Sequence, residues 1–197
     1  LIDLDPQGSS TRWLANRPAS LASIIGTEGF QNSLQVTKTW HLRTPENSDL
    51  AVIDTPAGLT RQELISATRG ADAILIPVMP SDIDIHAVMK CISDLLLVAK
   101  IPRPDMKIGI IANRVRANTR VYGQLKKFLS SLDIPVVATL RDSQNYTRAF
   151  EFGMGIHEMP FSQVKKDIDA WSDIMGWLDR LRERSLGQPS AIHYLRG

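Results

Sequence analysis

The chain has little cysteine and no long hydrophobic run. Cys91 is the one cysteine among 197 residues, which excludes a framework of intramolecular disulfides and a zinc site built from cysteine pairs. No stretch approaches the roughly 18 consecutive apolar residues that a membrane-spanning helix requires. Because a single cysteine is typical of a reducing compartment, we predict a cytoplasmic protein with no membrane partner.

An excess of either charge is missing as well, since 23 lysines and arginines face 21 aspartates and glutamates. The formal net charge of +2 is too small to argue for nucleic acid binding. Its distribution is uneven: residues 100–128 hold 8 basic residues and 1 acidic residue, whereas residues 1–99 hold 7 and 11, and residues 129–197 hold 8 and 9. One block therefore carries the positive charge.

Apolar runs of strand length alternate with longer helical patterns. Because the runs are nearly continuous, as in strands buried on both faces, we predict an α/β fold: a doubly wound, mostly parallel sheet with helices on both faces. The runs lie at residues 1–5, 50–53, 73–78, 106–112 and 135–140. The helical patterns lie at residues 9–16, 61–70, 85–99, 119–132, 146–152 and 165–185.

We predict a single domain over residues 1–186 and a disordered tail at 187–197, where no periodicity remains. The segment 17–49 is less regular, with a short helix predicted around 29–34 and a weak strand around 35–39. Since residue 1 begins in the middle of a strand pattern, we expect a first βα unit upstream of it.

Three carboxylates follow two predicted strands that can be neighbours in the sheet: Asp3 and Asp5 end the first, and Asp54 ends the strand at residues 50–53. Ligands bind at the carboxyl ends of parallel strands, and Mg²⁺ resolves the repulsion of clustered carboxylates because it prefers oxygen ligands. After Asp54 comes a turn with Gly58, whose backbone N–H can meet a phosphate with no side chain in the way. A nucleotide switch loop is one interpretation. Helix caps and an ordinary turn are the alternatives.

Four motifs together resemble the ParA family of Walker-type ATPases, which segregate plasmids and chromosomes and position other cargo. They are DLDPQGSS at residues 3–10, VIDTPAG at 52–58, ADAILIPVMPSDID at 71–84 and IIANRV at 110–115. The motifs occur in the family's order, and the resemblance covers roughly residues 1–160. The short chain is similar to the small, ParF-like type. The resemblance implies a P-loop NTPase-like fold with ATP and Mg²⁺ as cofactors.

The resemblance implies a role for each matching residue. Asp3 lies close to the magnesium shell, and Asp5 orients the water that attacks the γ-phosphate. Asp54 holds Mg²⁺ through water, while Gly58 donates its N–H to the γ-phosphate. Asn113 binds the adenine. The other residues implied in nucleotide binding are Arg114, Leu140 and Asp142.

The family's phosphate-binding loop, K-G-G-x-G-K-[ST], is absent from the sequence, and no other G-x-x-x-x-G-K-[ST] occurs. We expect this loop in the upstream βα unit. The 197-residue chain alone is therefore expected to bind nucleotide poorly and to hydrolyse none.

The basic block is a candidate DNA-binding surface, because such clusters neutralise phosphate backbones without reading sequence. Arg116, Arg120 and Lys127 are expected on one face of the helix at 119–132. The alternative is an ordinary solvated helix face. The full set of predicted DNA-binding residues is Arg116, Arg120, Lys126, Lys127, Arg141 and Arg148.

The last helix carries an apolar stripe and a polar face of mixed charge, which predicts packing against the sheet rather than a membrane-targeting tail. The stripe consists of Trp171, Ile174, Met175, Leu178 and Leu181. The histidines show no metal-ligand spacing, and a single cysteine argues against the iron-sulphur relatives of this ATPase class.

The resemblance implies an ATPase that forms a homodimer on ATP, binds DNA non-specifically at the nucleoid, and segregates plasmid or chromosomal DNA with a ParB-like or other adaptor partner. Two alternatives remain open. One is a ParA-like ATPase that positions an organelle or protein complex. The other is a binding module without a P-loop and without enzymatic activity.

Overall fold

A computed structural model describes residues 1–28, 48–101 and 107–187, with side chains described up to residue 184. In these residues the strands are β1 (Ile2–Asp3), β2 (Thr27–Glu28), β3 (Ile53–Asp54), β4 (Ile74–Val78), β5 (Ile108–Val115) and β6 (Val136–Arg141). The α-helices are α1 (Ser9–Ala15), α2 (Arg61–Thr68), α3 (Asp82–Leu97), α4 (Arg120–Ser130), α5 (Gln144–Glu151) and α6 (Phe161–Gly187), and a 3₁₀ turn lies at Ile156–Glu158. The predicted helix at 29–34, the predicted strand at 35–39 and the tail from residue 188 lie outside the described residues.

Every strand pair in the described residues is parallel. β1 lies between β2 and β3, and β5 lies between β4 and β6. The predicted α/β class, with parallel strands in sheets flanked by helices, is confirmed.

The chain divides into two compact units, each with one three-stranded sheet. The first unit comprises Leu1–Arg69, Cys91–Ile101 and Ser143–Ile168, and the second comprises Gly70–Lys90, Pro102–Asp142 and Asp169–Gly197. The single domain over residues 1–186 stays a prediction.

Polar side chains set the starts of several helices. Thr60 and Glu63 form a capping box at the start of α2, with the Thr60 N–H donating to Glu63 Oε2 at 3.0 Å. Ser81 accepts a hydrogen bond from the N–H of Asp84 at 3.1 Å, so α3 begins at Asp82, earlier than the predicted residue 85. The predicted start of α6 at residue 165 is also late, because the helix follows Pro160 directly.

The core of the second unit lies between its sheet and α6. Ile111, Ala138, Leu140 and Ile174 are buried together, and Trp171 and Leu178 pack against them. The predicted packing of the last helix on the sheet is thus confirmed. Met175 is exposed, however, and Trp177, which the stripe omits, is buried instead. A Cβ at Gly109 would lie 3.0 Å from the Trp177 ring, so the absence of a side chain at Gly109 admits the indole.

The predicted strand at residues 50–53 is wrong in its extent. β3 covers only Ile53–Asp54, and Leu50 and Val52 are exposed. In the described residues β3 pairs with β1 on one side only, and the apolar residues before Ile53 are not buried as the continuous run predicts.

Arg17 anchors the segment after α1 within the first unit. Its guanidinium donates to Glu158 Oε2 from Nη1 at 2.9 Å and to Oε1 from Nη2 at 2.5 Å. It also donates to the carbonyls of Ala22 and Gly153 at 2.9 and 3.2 Å, and it lies 5.5 Å from the centre of the Trp13 ring. The side chain of Arg17 is 7% exposed and that of Glu158 is 25% exposed, so this ion pair is largely removed from water.

We expect Glu158→Gln to lower the free energy of unfolding by about 2–3 kcal/mol, because it leaves a buried guanidinium without its counter-charge. Urea denaturation followed by circular dichroism measures this loss. Glu151→Gln at the exposed end of α5 is the control and should change stability by less than about 0.5 kcal/mol.

The same pair predicts a pH dependence. The hydrogen bonds from Arg17 hold the pKa of Glu158 below its usual range. A carboxyl group whose pKa is lower in the folded state stabilises the fold above its unfolded pKa and loses that contribution as pH falls through the folded value. The stability difference between the native chain and Glu158→Gln should therefore shrink below about pH 4.3. An equal difference at pH 7 and at pH 3 would contradict this assignment.

Candidate nucleotide site and basic surface

Asp3 and Asp54 lie side by side at the carboxyl ends of two neighbouring strands. They are partners in the register of the parallel pair β1 and β3, whose strands are about 4.8 Å apart. The N–H of Leu4 donates to the carbonyl of Asp54 at 2.8 Å, which fixes this register just beyond β1. The expectation that these strands are neighbours is confirmed. The roles of the carboxylates in nucleotide chemistry stay predictions.

Asp3 is a buried carboxylate, 2% exposed, that holds the following turn and helix in place. Its Oδ2 accepts hydrogen bonds from the N–H and Oγ1 of Thr11 at 2.8 and 2.9 Å, and its Oδ1 accepts one from the N–H of Asp5 at 3.1 Å. Hydrogen bonds of this kind offset the cost of burying the carboxylate. Asp3 therefore positions the segment that contains Asp5.

Asp54 and Asp5 are half-buried and retain access to solvent. Oδ2 of Asp54 accepts a hydrogen bond from Ser10 Oγ at 2.7 Å, and Oδ1 of Asp5 accepts one from the N–H of Gln7 at 2.9 Å. Gly8 closes this turn in the left-handed conformation with φ 61°, which favours glycine. The turn thus connects α1 to the carboxylate pair.

Gly58 lies in an exposed turn after β3. A Cβ built on it would meet nothing within 4 Å, so no neighbour among the described residues requires glycine there.

The donor chemistry of Asp54 fits Mg²⁺. No group of three or more His, Cys, Asp or Glu side chains in the described residues is placed to hold a metal ion. Mg²⁺ nevertheless keeps several waters and is often held by one or two carboxylates together with phosphate oxygens. Asp54, half-buried and with one oxygen fixed by Ser10, suits contact with such an ion through water.

The residues predicted to contact the base belong to the second unit. Asn113 lies within β5 rather than after the strand, which extends to Val115 beyond the predicted end at residue 112. Arg114 follows in the left-handed region with φ 50°, and its N–H donates to Asn113 Oδ1 at 3.0 Å. The Leu140 side chain is part of the hydrophobic core, so its side chain is not available to a ligand. The role of Asn113 in adenine binding stays a prediction.

Asp142 follows β6 and accepts hydrogen bonds from an arginine of the basic block. Arg116 donates to Asp142 Oδ2 from Nε at 2.8 Å, its Nη2 lies 2.7 Å from the same oxygen, and Arg114 Nε lies 3.5 Å from Oδ1. The hydrogen bond from Arg116 holds the pKa of Asp142 below its usual range. A residue predicted for nucleotide binding and one predicted for DNA binding are therefore in direct contact.

The predicted placement of Arg116 on the basic helix is wrong. Thr119 caps α4, and Asn118 before it has φ 63°, so the helix cannot extend back to Arg116. Arg120 and Lys127 do share a face of α4, and both are exposed. The remaining predicted DNA-binding residues, Lys126, Arg141 and Arg148, are also exposed. DNA binding stays a prediction for all of them.

In the part of the chain that the structure describes, no helix combines the length and apolar character needed to span a bilayer.

Comparison with known proteins gives two relatives, and no protein-family model matches the chain. A maintenance of carboxysome distribution protein A from Halothiobacillus neapolitanus is 25% identical over 162 residues, which cover 81% of this chain and 73% of the relative. A protein of the same name from Gloeobacter kilaueensis is 28% identical over 92 residues, which cover 47% of this chain and 40% of the relative. The matched residues thus span less than two thirds of the second relative.

These relatives support a ParA-like family. Their names describe proteins that distribute a cargo, which agrees in kind with the alternative of a positioning protein, and they give no support to the small ParF-like type. Both relatives are named for the distribution of carboxysomes, and neither name refers to plasmid partition.

Proposed function

We propose that this chain is part of a ParA-like ATPase that positions a protein-based cargo. The carboxysome is an example of such a cargo. The observation that carries the proposal is the register pair of Asp3 and Asp54, which brings the D-x-D-P-Q and D-T-P-A-G motifs to one sheet edge. The names of the two relatives favour a compartment as the cargo.

The three carboxylates have different roles at the nucleotide in this proposal. Mg²⁺, when bound, neutralises charge on the phosphate oxygens. Asp54 is the residue that would hold this ion, through water. Asp5 orients the attacking water, and Asp3 acts as a positioning residue because its oxygens fix the backbone of Asp5 and of α1. Phosphoryl transfer needs little beyond such positioning and charge stabilisation.

In the proposed cycle, the bound nucleotide controls whether the protein binds DNA. ATP favours a homodimer, the dimer binds DNA non-specifically through exposed arginines and lysines, and an adaptor protein stimulates hydrolysis and release. The protein is then cytoplasmic and associated with the nucleoid. Partition of plasmid or chromosomal DNA is a second candidate with the same cycle, and the exposed basic residues of α4 suit both.

Reconstitution on a DNA-coated surface tests the cargo and the cycle together. We expect the full-length protein to bind the surface with ATP and Mg²⁺ and to be released by an adaptor that also binds a compartment shell. Release by a centromere-binding protein instead would favour DNA partition. Failure to hydrolyse ATP under all of these conditions would favour the binding module without enzymatic activity.

A further inference from the structure

Two exposed arginines converge on one carboxylate where β5 and β6 end. The Arg114 and Arg116 side chains are 67% and 77% exposed, whereas the Asp142 side chain is 21% exposed. Arg116 contacts Oδ2 of Asp142 and Arg114 lies against Oδ1, so each carboxylate oxygen faces a different guanidinium. The cluster presents two positive charges around a single negative one.

The main chain holds this cluster in place. Val115 is paired with Arg141 in the register of β5 and β6, and the N–H of Asp142 donates to the carbonyl of Val115 at 3.0 Å. The Val115 side chain is buried, so its neighbours Arg114 and Arg116 extend to solvent on either side of it. Backbone pairing therefore holds the main chain of residues 114–116 next to Asp142, which keeps both arginines within reach of this site.

The surroundings of the cluster are basic. No aspartate or glutamate occurs in residues 107–132. Asp142, which follows β6, therefore supplies this segment with a carboxylate that the segment itself lacks. Thr119, the cap of α4, donates to the carbonyl of Arg116 at 3.0 Å, and the exposed Arg120 follows it directly. This charge pattern favours a polyanion over an acidic peptide of mixed composition.

Carboxylate and phosphate are alternative partners for a guanidinium fork. Exposed ion pairs add little to stability, so exchanging the Asp142 carboxylate for a phosphate costs little. We propose that Arg114 and Arg116 form a site for backbone phosphates of double-stranded DNA, and that Asp142 occupies this site as an internal counter-ion until DNA displaces it. The proposal rests on the DNA binding proposed above and adds its regulation.

Duplex binding by Asp142→Asn in the absence of nucleotide tests the proposal. The probe is a fluorescent duplex of about 20 base pairs, with anisotropy measured between about 50 and 200 mM salt. We expect the variant to bind about five- to tenfold more tightly than the native chain, with a salt dependence steeper by about one phosphate contact or more. Circular dichroism and the thermal midpoint report whether the variant is folded.

Asp133→Asn is the matched control, because it removes the same charge from an exposed residue that precedes β6 instead of following it. Equal gains in the two variants would overturn the proposal in favour of a general charge effect. A second arm uses Arg116→Gln: we expect less than about a twofold loss in the native background but about a fivefold or greater loss in the Asp142→Asn background. Additive losses would contradict the masking of Arg116 by Asp142.

Two further outcomes separate this proposal from the proposed function. If Asp142→Asn does not bind the duplex at the lowest salt, or prefers an acidic peptide of equal charge, the phosphate site is wrong even if the full-length protein hydrolyses ATP. If the variant binds as expected while the full-length protein shows no ATP-dependent behaviour, the site stands and the ATPase cycle is wrong.

Discussion

Replacing Gly153 by alanine is expected to cost about 3 kcal/mol or more of the free energy of unfolding. Gly153 has φ +61°, and a Cβ there would lie 2.4 Å from the backbone N of Arg17 and 2.4 Å from the backbone C of Asn16. The backbone after α1 and the backbone after α5 therefore meet at a position that admits no side chain. Neither backbone segment can shift easily, because the Arg17 side chain donates hydrogen bonds to Glu158 and to the carbonyl of Gly153.

Alanine variants of two other glycines separate the cost of a left-handed backbone conformation from the cost of a steric clash. Gly70 has φ +75° with nothing within 4 Å of its Cβ position, so Gly70→Ala should show the conformational cost alone, about 1 kcal/mol. Gly123 lies inside α4 in open space, so Gly123→Ala should stabilise the chain by about 0.5–1 kcal/mol. Urea denaturation curves compare the three variants. If Gly153→Ala were no worse than Gly70→Ala, the contact between the two backbone segments would be wrong.

Asp54→Asn is expected to lower ATP hydrolysis by the full-length protein about a hundredfold or more, since the carboxylate proposed to hold Mg²⁺ becomes a neutral amide. The fold should survive, because the amide oxygen of asparagine still accepts the hydrogen bond from Ser10. Steady-state release of phosphate measures the rate, and nucleotide binding is followed separately.

The controls for Asp54 separate charge from position. Ser10→Ala keeps the carboxylate but removes the hydrogen bond that orients it, so we expect a smaller loss of about tenfold. Asp72→Asn removes an exposed carboxylate in the second unit and should leave the rate unchanged. Hydrolysis by Asp54→Asn at the native rate would show that this carboxylate does not serve the magnesium ion.

The sequence predicts the strands of the second unit well because their apolar runs are long. β4, β5 and β6 lie within a few residues of their predicted positions, because each contains a run of apolar residues. The predicted burial on both faces holds for β5, whereas buried and exposed residues alternate in β6. β2 was not predicted, and β3 was predicted too early. Each covers only two residues, which is too short for any periodicity to register.

In the candidate sites, too, the sequence predicts some contacts and does not predict others. The proximity of Asp3 and Asp54 follows from a local rule, because both end strands whose carboxyl ends share an edge. The contacts between Arg17 and Glu158 and between Arg116 and Asp142 join residues 141 and 26 positions apart. No local pattern signals such pairs. The left-handed conformation of Asn118, which keeps α4 from extending back to Arg116, is a local backbone feature that hydrophobic periodicity does not report.

The most direct test of a nucleotide-switched ATPase is the mass of the full-length protein in solution with ATP and Mg²⁺, with ADP and Mg²⁺, and without nucleotide, measured by multi-angle light scattering. A slowly hydrolysed ATP analogue holds the bound state during the measurement. We expect the mass to double with ATP or its analogue and to remain that of a monomer with ADP or alone. An identical mass in all three conditions, with no nucleotide bound, would contradict the central claim that the paired aspartates serve an ATP site.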